Sequence, residues 1–308
     1  MIVLRQFPDL SVPDVARRFL AAWWSETLVM HASVREARYQ AHPGPLSVKC
    51  AFGGRETYEI AGRRLPVHDG CWLALREGTV YSSSVESDAT VESLCVMFSA
   101  ADVRAGAALD DEAILERREV AAPAVYEQVH PARGPVFGHV MRLRRLRDAA
   151  AIEEEVHALL AAFLRMQDVI RRQVAKLPAR RVSTRAELYR RLQRARDLIE
   201  SRFDEPLRLG DLAHAACLQK HHFLREFARA FGTTPHRYLV RRRLDAARRL
   251  LAKRGASVLR ACLEVGFADP SAFARAFQQR YGTPPSIYGR KTQFLHGNGG
   301  CIPGRSAG

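Results

Sequence analysis

The chain lacks most of what would make a metalloprotein or a membrane protein legible. Its six cysteines, Cys50, Cys71, Cys95, Cys217, Cys262 and Cys301, stand far apart, with no Cys-x-x-Cys pair and no His/Cys cluster. That spacing speaks against a structural zinc site. No stretch approaches the roughly 18 consecutive apolar residues that a membrane span needs. The N-terminal stretch has no basic start, apolar run and small-residue cleavage site of the kind that marks a signal peptide. The expectation is a cytoplasmic protein with reduced thiols. Acidic residues are scarce in one place only. Residues 1–104 hold 11 basic and 12 acidic side chains, a balance of −1, and residues 105–180 hold 12 and 11, a balance of +1. Residues 181–308 hold 25 and 10, a balance of +15, so the whole net charge of the protein sits in this segment. A polyanionic partner for that segment follows.

At 308 residues with 47% hydrophobic content the chain can bury two ordinary cores. Up to about residue 104 it reads mostly as β. Short runs such as VKCAF, TYEIA, CWLAL and VESLCVMFS are separated by Gly and Asp turn signals, the pattern of a small barrel or sandwich. Pro66 and Gly70 are expected to bracket a turn rather than lie in a strand. From Ile152 the apolar positions Val156, Leu159, Leu160, Phe163, Met166, Ile170, Val174 and Leu177 keep to one helical stripe. That stripe packs on its own domain or pairs with a second copy. Residues 186–290 read as helical throughout, and the Gly-rich residues 292–308 as a disordered tail. The expected division is 1–104, 105–180 (a helical dimerisation or linker segment), 181–291 and 292–308.

Within the basic segment a pattern recurs fifty positions apart. Phe223, Arg225, Phe227, Phe231, Gly232, Thr233, Pro235 and Tyr238 return as Phe273, Arg275, Phe277, Tyr281, Gly282, Thr283, Pro285 and Tyr288. Aromatics at i, i+4 and i+8 share one helix face, and the Gly and Pro that follow stop the helix. Each copy is an amphipathic helix with arginine away from its apolar stripe. A shorter helix precedes each copy: LRLGDLAHAA, with Leu212 and Ala213 inward, and SVLRACLEV, with Ser257 as N-cap and Ala261 and Cys262 inward. Cys217 and Gly266-Phe267 mark the turns. Helix, tight turn, helix is the arrangement that places a helix in the DNA major groove. There an arginine fork can bond guanine O6 and N7 together. Between the units, a helix over about Pro235–Lys253 carries Arg241, Arg242, Arg243, Arg248 and Arg249. Consecutive residues point about 100° apart, so these arginines cannot all face DNA. Some bind phosphate, and others are solvated or pair with acids such as Asp245.

On these residues, notably Gly266-Phe267, Ser271, Phe273, Arg275, Phe277, Gly282, Pro285 and Tyr288, residues 186–290 resemble the C-terminal domain of AraC/XylS-type transcription regulators. The resemblance implies two helix-turn-helix units joined by a long central helix. It carries base contact over to His221, Leu224 and Arg225 in the first unit and to Ser271, Ala272 and Arg275 in the second. Lys220, Arg241 and Arg243 become expected phosphate contacts. The first unit departs from the family pattern: Cys217 stands where Gly is usual, and Gln219-Lys220 where Ser-Pro is common. Leu224 and Ala272 cannot donate hydrogen bonds and are left thymine methyls or sugar edges to touch.

Residues 40–100 resemble the degenerate cupin-type barrel that many members of this family carry, through YEIAGRRLPVHDGCWLALREGTVY. The fold implied is α+β and two-domain: an N-terminal cupin-like barrel with following helices, then an all-α domain with two helix-turn-helix units. His42 and His68 stand alone, and Tyr81 follows Gly78-Thr79 where a metal-binding cupin would place a histidine, so no metal, no cofactor and no catalytic residues are expected. Trp23, Trp24, Tyr39, Phe52, Tyr58 and Trp72 are the candidates for a small-molecule pocket. The function implied is sequence-specific transcription regulation, with double-stranded promoter DNA, RNA polymerase for an activator, an effector and a second copy of the chain as partners. A barrel that only dimerises or binds a protein partner, on a constitutive regulator, is the alternative. An alkylation-repair fusion fails on its cysteines, because Cys50, Cys71 and Cys95 cannot form the required zinc-bound cluster.

Overall fold

A computed structural model of the protein describes residues 1–6, 8, 13–108, 127–175, 177–178, 181–252 and 256–289. The tail expected over 292–308, Lys253 and residues 109–126, 176, 179 and 180 of the expected 105–180 segment lie outside the described residues. The chain divides into two compact units, Met1–Ser201 and Arg202–Gly308. The expected boundary at 181 lies twenty-one residues before the division.

The first unit is built on β1 (Ile2–Leu4), α1 (Pro13–Ser25), β2 (Leu28–Gly44), β3 (Ser47–Phe52), β4 (Arg55–Ile60), β5 (Arg63–His68), β6 (Cys71–Leu75) and β7 (Thr79–Met97). The sheet runs β1-β2-β7-β3-β6-β5-β4, and β4 pairs back onto β7 to close a barrel. The nineteen-residue β7 makes closure possible. One edge pairs with β2, while the other pairs with β3 over residues 92–97 and with β4 over residues 82–85. Register shifts in β2 between Val34 and Glu36 and between Tyr39 and His42 bend the ribbon, as bulges do. Pro66 lies inside β5, opposite Thr57 of β4, and not at a turn. It is tolerated because the other edge of β5 pairs with β6 only at His68–Cys71, so few ladder bonds need its missing N–H.

Part of the barrel wall is covered on both faces. Alternation sends Val48, Cys50 and Phe52 outward, with Trp72, Ala74, Leu94 and Val96, onto α3 (Gly134–Leu143) and α4 (Ala149–Ala175). It sends Ala51, Leu73, Leu75, Cys95 and Met97 inward with Tyr58 and Tyr81. Strands buried on both faces read as continuous apolar runs, as CWLAL does and as VKCAF does but for Lys49. The α4 stripe, Ile152, Val156, Leu159, Leu160 and Phe163, is buried against this wall. That face is therefore spent inside its own chain. Between the strands and these helices lie α2 (Ala100–Ala108) and β8 (Gln128–Pro131), which adds to β6.

The next helix, α5 (Val182–Arg202), docks on β8 and β5 through polar groups. Asp197, fully buried, accepts the Val129 N–H at 3.0 Å and Arg63 Nη1 at 3.2 Å. Arg196 Nη2 donates to the Val129 carbonyl at 3.3 Å, and the Gln193 side chain bonds that of Gln128. Burial lifts the Asp197 carboxyl to about 6, opposed by Arg63, the Val129 N–H and Arg196.

The second unit contains α6 (Leu209–Ala215), α7 (Lys220–Phe231), α8 (Pro235–Leu251), α9 (Val258–Glu264), α10 (Pro270–Tyr281) and a last helical stretch over 285–289. Its core repeats as the sequence does. Phe227 packs on Phe223, Phe231 and Tyr238 at 5.4, 4.6 and 5.9 Å between ring centroids. Phe277 packs on Phe273, Tyr281 and Tyr288 at 5.7, 4.7 and 5.6 Å. Among the described residues no helix is long and apolar enough to cross a membrane.

Candidate nucleic-acid interface

Each turn in the second unit closes by the same backbone device. The Leu218 N–H donates to the Ala213 carbonyl at 3.0 Å and Cys217 N–H to His214 at 2.8 Å. Forty-nine residues on, Phe267 N–H donates to Cys262 at 3.1 Å and Gly266 N–H to Leu263 at 3.0 Å. These are the paired bonds of a helix ending on a left-handed residue. Gly266 has φ +81°, and Cys217 takes the same region at φ +51°. Cysteine pays about 1 kcal/mol of strain there that glycine does not. Gly266 is required for a second reason: a Cβ would lie 2.5 Å from the Asp204 carbonyl oxygen.

The second helix of each unit is then set by its caps. Asp269 accepts the Ser271 and Ala272 N–H groups at 2.8 and 3.1 Å and starts α10, with Pro270 at its first position. Gln219 stands at the start of α7 without a side-chain cap bond. Both helices stop on left-handed glycines, Gly232 at φ 68° and Gly282 at φ 69°. Ser257 caps α9 through the Arg260 N–H, and Thr234 caps α8 through the Arg237 N–H.

On α7, His221 and Arg225 are exposed and Leu224 is half-buried, at i, i+4 and i+3 on one face. On α10, Ser271 and Arg275 are exposed and Ala272 is half-buried. The two arginines differ in their bonding. Arg225 Nε donates to Glu226 Oε1 at 3.0 Å, and its Nη2 meets His222 Nδ1 at 3.1 Å. Arg275 has no hydrogen bond or ion pair among the described residues.

The arginines of α8 divide three ways. Arg241 is exposed and Lys220, on α7, is exposed too, both available to a phosphate. Arg243 is not: its Nε and Nη2 donate to the carbonyls of Phe203 and Glu205 at 2.7 and 2.8 Å. The expectation of a phosphate contact at Arg243 is corrected on that ground, because the guanidinium is half-buried and ties down the chain before α6. Arg242 is buried, its guanidinium 4.0 Å over the Phe203 ring. Asp245 accepts from Arg280 Nη2 at 2.8 Å and from the Tyr281 hydroxyl at 2.7 Å.

The barrel interior holds the second candidate site. A small cavity that opens to solvent is lined by Trp23, Tyr39, His42, Lys49, Glu56, Tyr58 and Tyr81 among others. Three of the expected pocket aromatics line it: Trp23, Tyr39 and Tyr58. The other three do not. Trp24 follows Trp23 on α1 and is turned outward, 40% exposed. Phe52 and Trp72 lie on the outer face of their strands, where Phe52 packs under Arg144 and Trp72 stacks on His130. Strand alternation separates them from the interior.

Lys49 and Glu56, both fully buried, went unnoticed in the sequence. Their signal was a charge inside a run otherwise fit for burial, as in VKCAF. Lys49 Nζ donates to the Tyr81 hydroxyl at 3.0 Å and lies 5.6 Å from the Trp23 ring centroid. Burial pushes the Glu56 carboxyl up, and Ser93, which donates to it at 2.8 Å, Tyr58 and Lys49 hold it down. His42 Nδ1 bonds the Gln40 carbonyl at 2.6 Å, and burial lowers its pKa, so its Nε2 is left as an acceptor. That Nε2 and the Trp23 Nε1–H are both buried without a hydrogen-bond partner among the described residues. Among the described residues no group of three or more His, Cys, Asp or Glu is placed to hold a metal ion.

Comparison with known proteins bears on the second unit. Residues 212–291 match a family model described as a helix-turn-helix domain. The chain is 33% identical over 90 residues to a probable transcriptional regulator, LumQ, of Photobacterium leiognathi, covering 29% of this chain and 36% of that one. It is 36% identical over 81 residues to the HTH-type transcriptional regulator Rv1931c of Mycobacterium tuberculosis, covering 26% and 31%. The chain thus spans about a third of the length of the curated relatives it matches. Among solved structures it is similar to the DNA-binding domain of AdpA in complex with a target DNA, at 25% identity over 37% of this chain and 96% of that one, TM-score 0.32. With both turns, both helix pairs and the family match on the same residues, the C-terminal unit contains a helix-turn-helix domain over residues 212–291.

Proposed function

We propose that the protein is a sequence-specific, cytoplasmic transcription regulator that binds double-stranded promoter DNA through both helix-turn-helix units. The observation that carries this reading is the pair of reading helices, α7 and α10, each with an arginine on its exposed face inside the strongly basic half of the chain. His221, Leu224 and Arg225 face one groove, and Ser271, Ala272 and Arg275 the next, with Lys220 and Arg241 on phosphates. Duplexes selected from a random pool, compared by fluorescence anisotropy with scrambled duplexes, test it. The expected preference is about 10³-fold or more at physiological salt, and affinity falls steeply as salt rises. Equal affinity for selected and scrambled duplexes refutes the reading. Arg275→Ala is expected to cost about 1–3 kcal/mol on the selected duplex only.

The barrel binds a small-molecule effector in the cavity around Lys49. What supports this is unused bonding capacity in a buried site: a free donor on Trp23, a free acceptor on His42 and a buried ammonium. Such groups are costly to bury unless something bonds them. A thermal-shift screen of the full chain against metabolites, with Lys49→Met in parallel, tests it. A compound that raises the wild-type midpoint and not that of K49M is the expected result. Failure of every compound to separate the two refutes it. RNA polymerase, for activation, and a second copy of the chain complete the proposed partners. A homodimer must use surfaces other than the buried α4 stripe.

A further inference from the structure

Glu226 is an acid on the apolar stripe of a reading helix. It stands three residues after Phe223 and one before Phe227, and its side chain is 1% exposed. Its Oε1 accepts Arg225 Nε at 3.0 Å and Arg229 Nη1 at 3.1 Å, with His222 Nδ1 at 3.8 Å. Its Oε2 is buried with no hydrogen-bond partner. In the repeat the same position of α10 is Ala276, and Arg275 beside it is untethered among the described residues.

A buried carboxylate stripped of its cations is strongly unfavourable. If Arg225 swings away from the helix, the buried carboxylate loses one of its two arginine donors and keeps only Arg229. Arg225 Nε stays on Glu226, which fixes the plane of the guanidinium while the side chain remains 60% exposed. Nη2 meets His222 Nδ1 at 3.1 Å, a second hold on the same plane, which leaves Nη1 and the remaining Nη2 proton for a base. A planar fork fixed in advance loses less freedom on bonding two base acceptors, and bidentate recognition of guanine O6 and N7 depends on that plane.

We propose that Glu226 is a specificity-determining positioning residue: it holds Arg225 as a fixed guanine reader, while Arg275, which nothing holds, tolerates changes at the base it faces. The inference rests on the DNA-reading role proposed above. The first unit, with the less regular turn, is then the more selective of the two.

The test uses the full chain and base-preference profiles from randomised duplexes, for wild type, Arg225→Ala, Arg275→Ala and Glu226→Gln. R225A locates the position that Arg225 reads, and R275A the position for Arg275. Wild type is expected to show the sharper guanine preference at the Arg225 position. E226Q is expected to lose about 10-fold of that preference, the scale of one well-made bidentate contact. Its preference at the Arg275 position should stay unchanged, and its affinity for scrambled DNA should not fall, because no cation has been removed. Glu226→Leu, which completes the apolar stripe, should show the same loss and covers the case in which E226Q folds poorly. A purely structural role for Glu226 would weaken all sequences alike, and that outcome overturns the proposal. A profile altered by R225A but not by E226Q or E226L overturns the inference alone. A profile that R225A leaves unchanged overturns the reading of Arg225 and the inference together.

Discussion

Asp197 makes the docking of α5 on the barrel sensitive to pH, in a direction opposite to that of a surface ion pair. The folded carboxyl titrates at about 6 and the unfolded one at its ordinary 3.8. Between those values the folded chain keeps a proton that the unfolded chain has released. Stability therefore falls as pH rises through this window, and above it the ionised carboxylate is held at a cost. The full gap corresponds to about 3 kcal/mol, and the part crossed between about pH 4.5 and 7.5 to about 2 kcal/mol. Asp197→Asn is neutral at every pH and keeps an oxygen for the Val129 N–H. All three tryptophans, Trp23, Trp24 and Trp72, lie in the first unit, so tryptophan fluorescence in urea follows that unit alone. With a slope of about 2 kcal/mol per molar urea, the wild-type midpoint should drop by about 1 M more than the Asn variant's over the same pH change. Glu92, which Arg144 and His31 hold below the usual carboxylate range, works in the other direction. Its contribution is common to both proteins and cancels in the comparison. Equal pH dependence in wild type and D197N would refute the reasoning, and a smaller drop in wild type would reverse its sign.

The turns and the central helix of the second unit give three further expectations. Gly266→Ala should cost more than about 2 kcal/mol, since it adds left-handed strain to a 2.5 Å approach to the Asp204 carbonyl. Thermal melting followed by far-UV circular dichroism checks it, and a midpoint within a degree of wild type would contradict the geometry. Cys217→Gly should leave stability unchanged or raise it by up to about 1 kcal/mol, because relief of strain is partly offset by unfolded-state freedom. A clear loss of stability would show that the Cys217 side chain contributes packing its exposure does not reveal. Arg243→Ala should lower stability by about 1–3 kcal/mol, as two carbonyls lose a charged donor, and leave the salt slope of DNA binding unchanged. A slope reduced by about one with an unaltered melt would make Arg243 a phosphate contact after all.

Much of the second unit was legible because its signals are local. The i, i+4, i+8 aromatics, the glycine stops and the Ser257 cap act over a few residues, and the structure keeps them in place. The fate of each arginine on α8 was not, because it depends on what lies across the helix. Arg243 meets carbonyls forty and thirty-eight residues away, and nothing in RRRLDAARRLL announces them. The barrel was legible as strands and turns but not as faces. CWLAL is apolar on both sides, and VKCAF is too but for Lys49, so the sequence could not say whether Phe52 and Trp72 look into the cavity or onto α3 and α4. Pro66 misled for a related reason: a strand paired fully on one edge and barely on the other accepts a proline that a central strand would reject.

The unequal character of the two reading helices follows from two departures in the first unit. Cys217 takes a strained backbone where Gly266 takes a relaxed one, and Glu226 sits in the stripe where Ala276 sits in its counterpart. Judged by the turn alone, the first unit is the poorer copy. Judged by its arginine, it is the more constrained one, since Arg225 is fixed by a buried charge and Arg275 is not. Strain at a turn lowers the stability of the unit without changing which base a side chain prefers. Fixing a guanidinium changes preference and, while both cations remain, leaves the electrostatic share of affinity as it was. The two departures therefore act on different quantities. A Cys217→Gly variant should leave the base profile unchanged whether or not it raises the melting point, and Glu226→Gln should shift the base profile at one position. Observation of the reverse pattern would mean that the turn, and not the buried acid, sets how the first helix reads DNA.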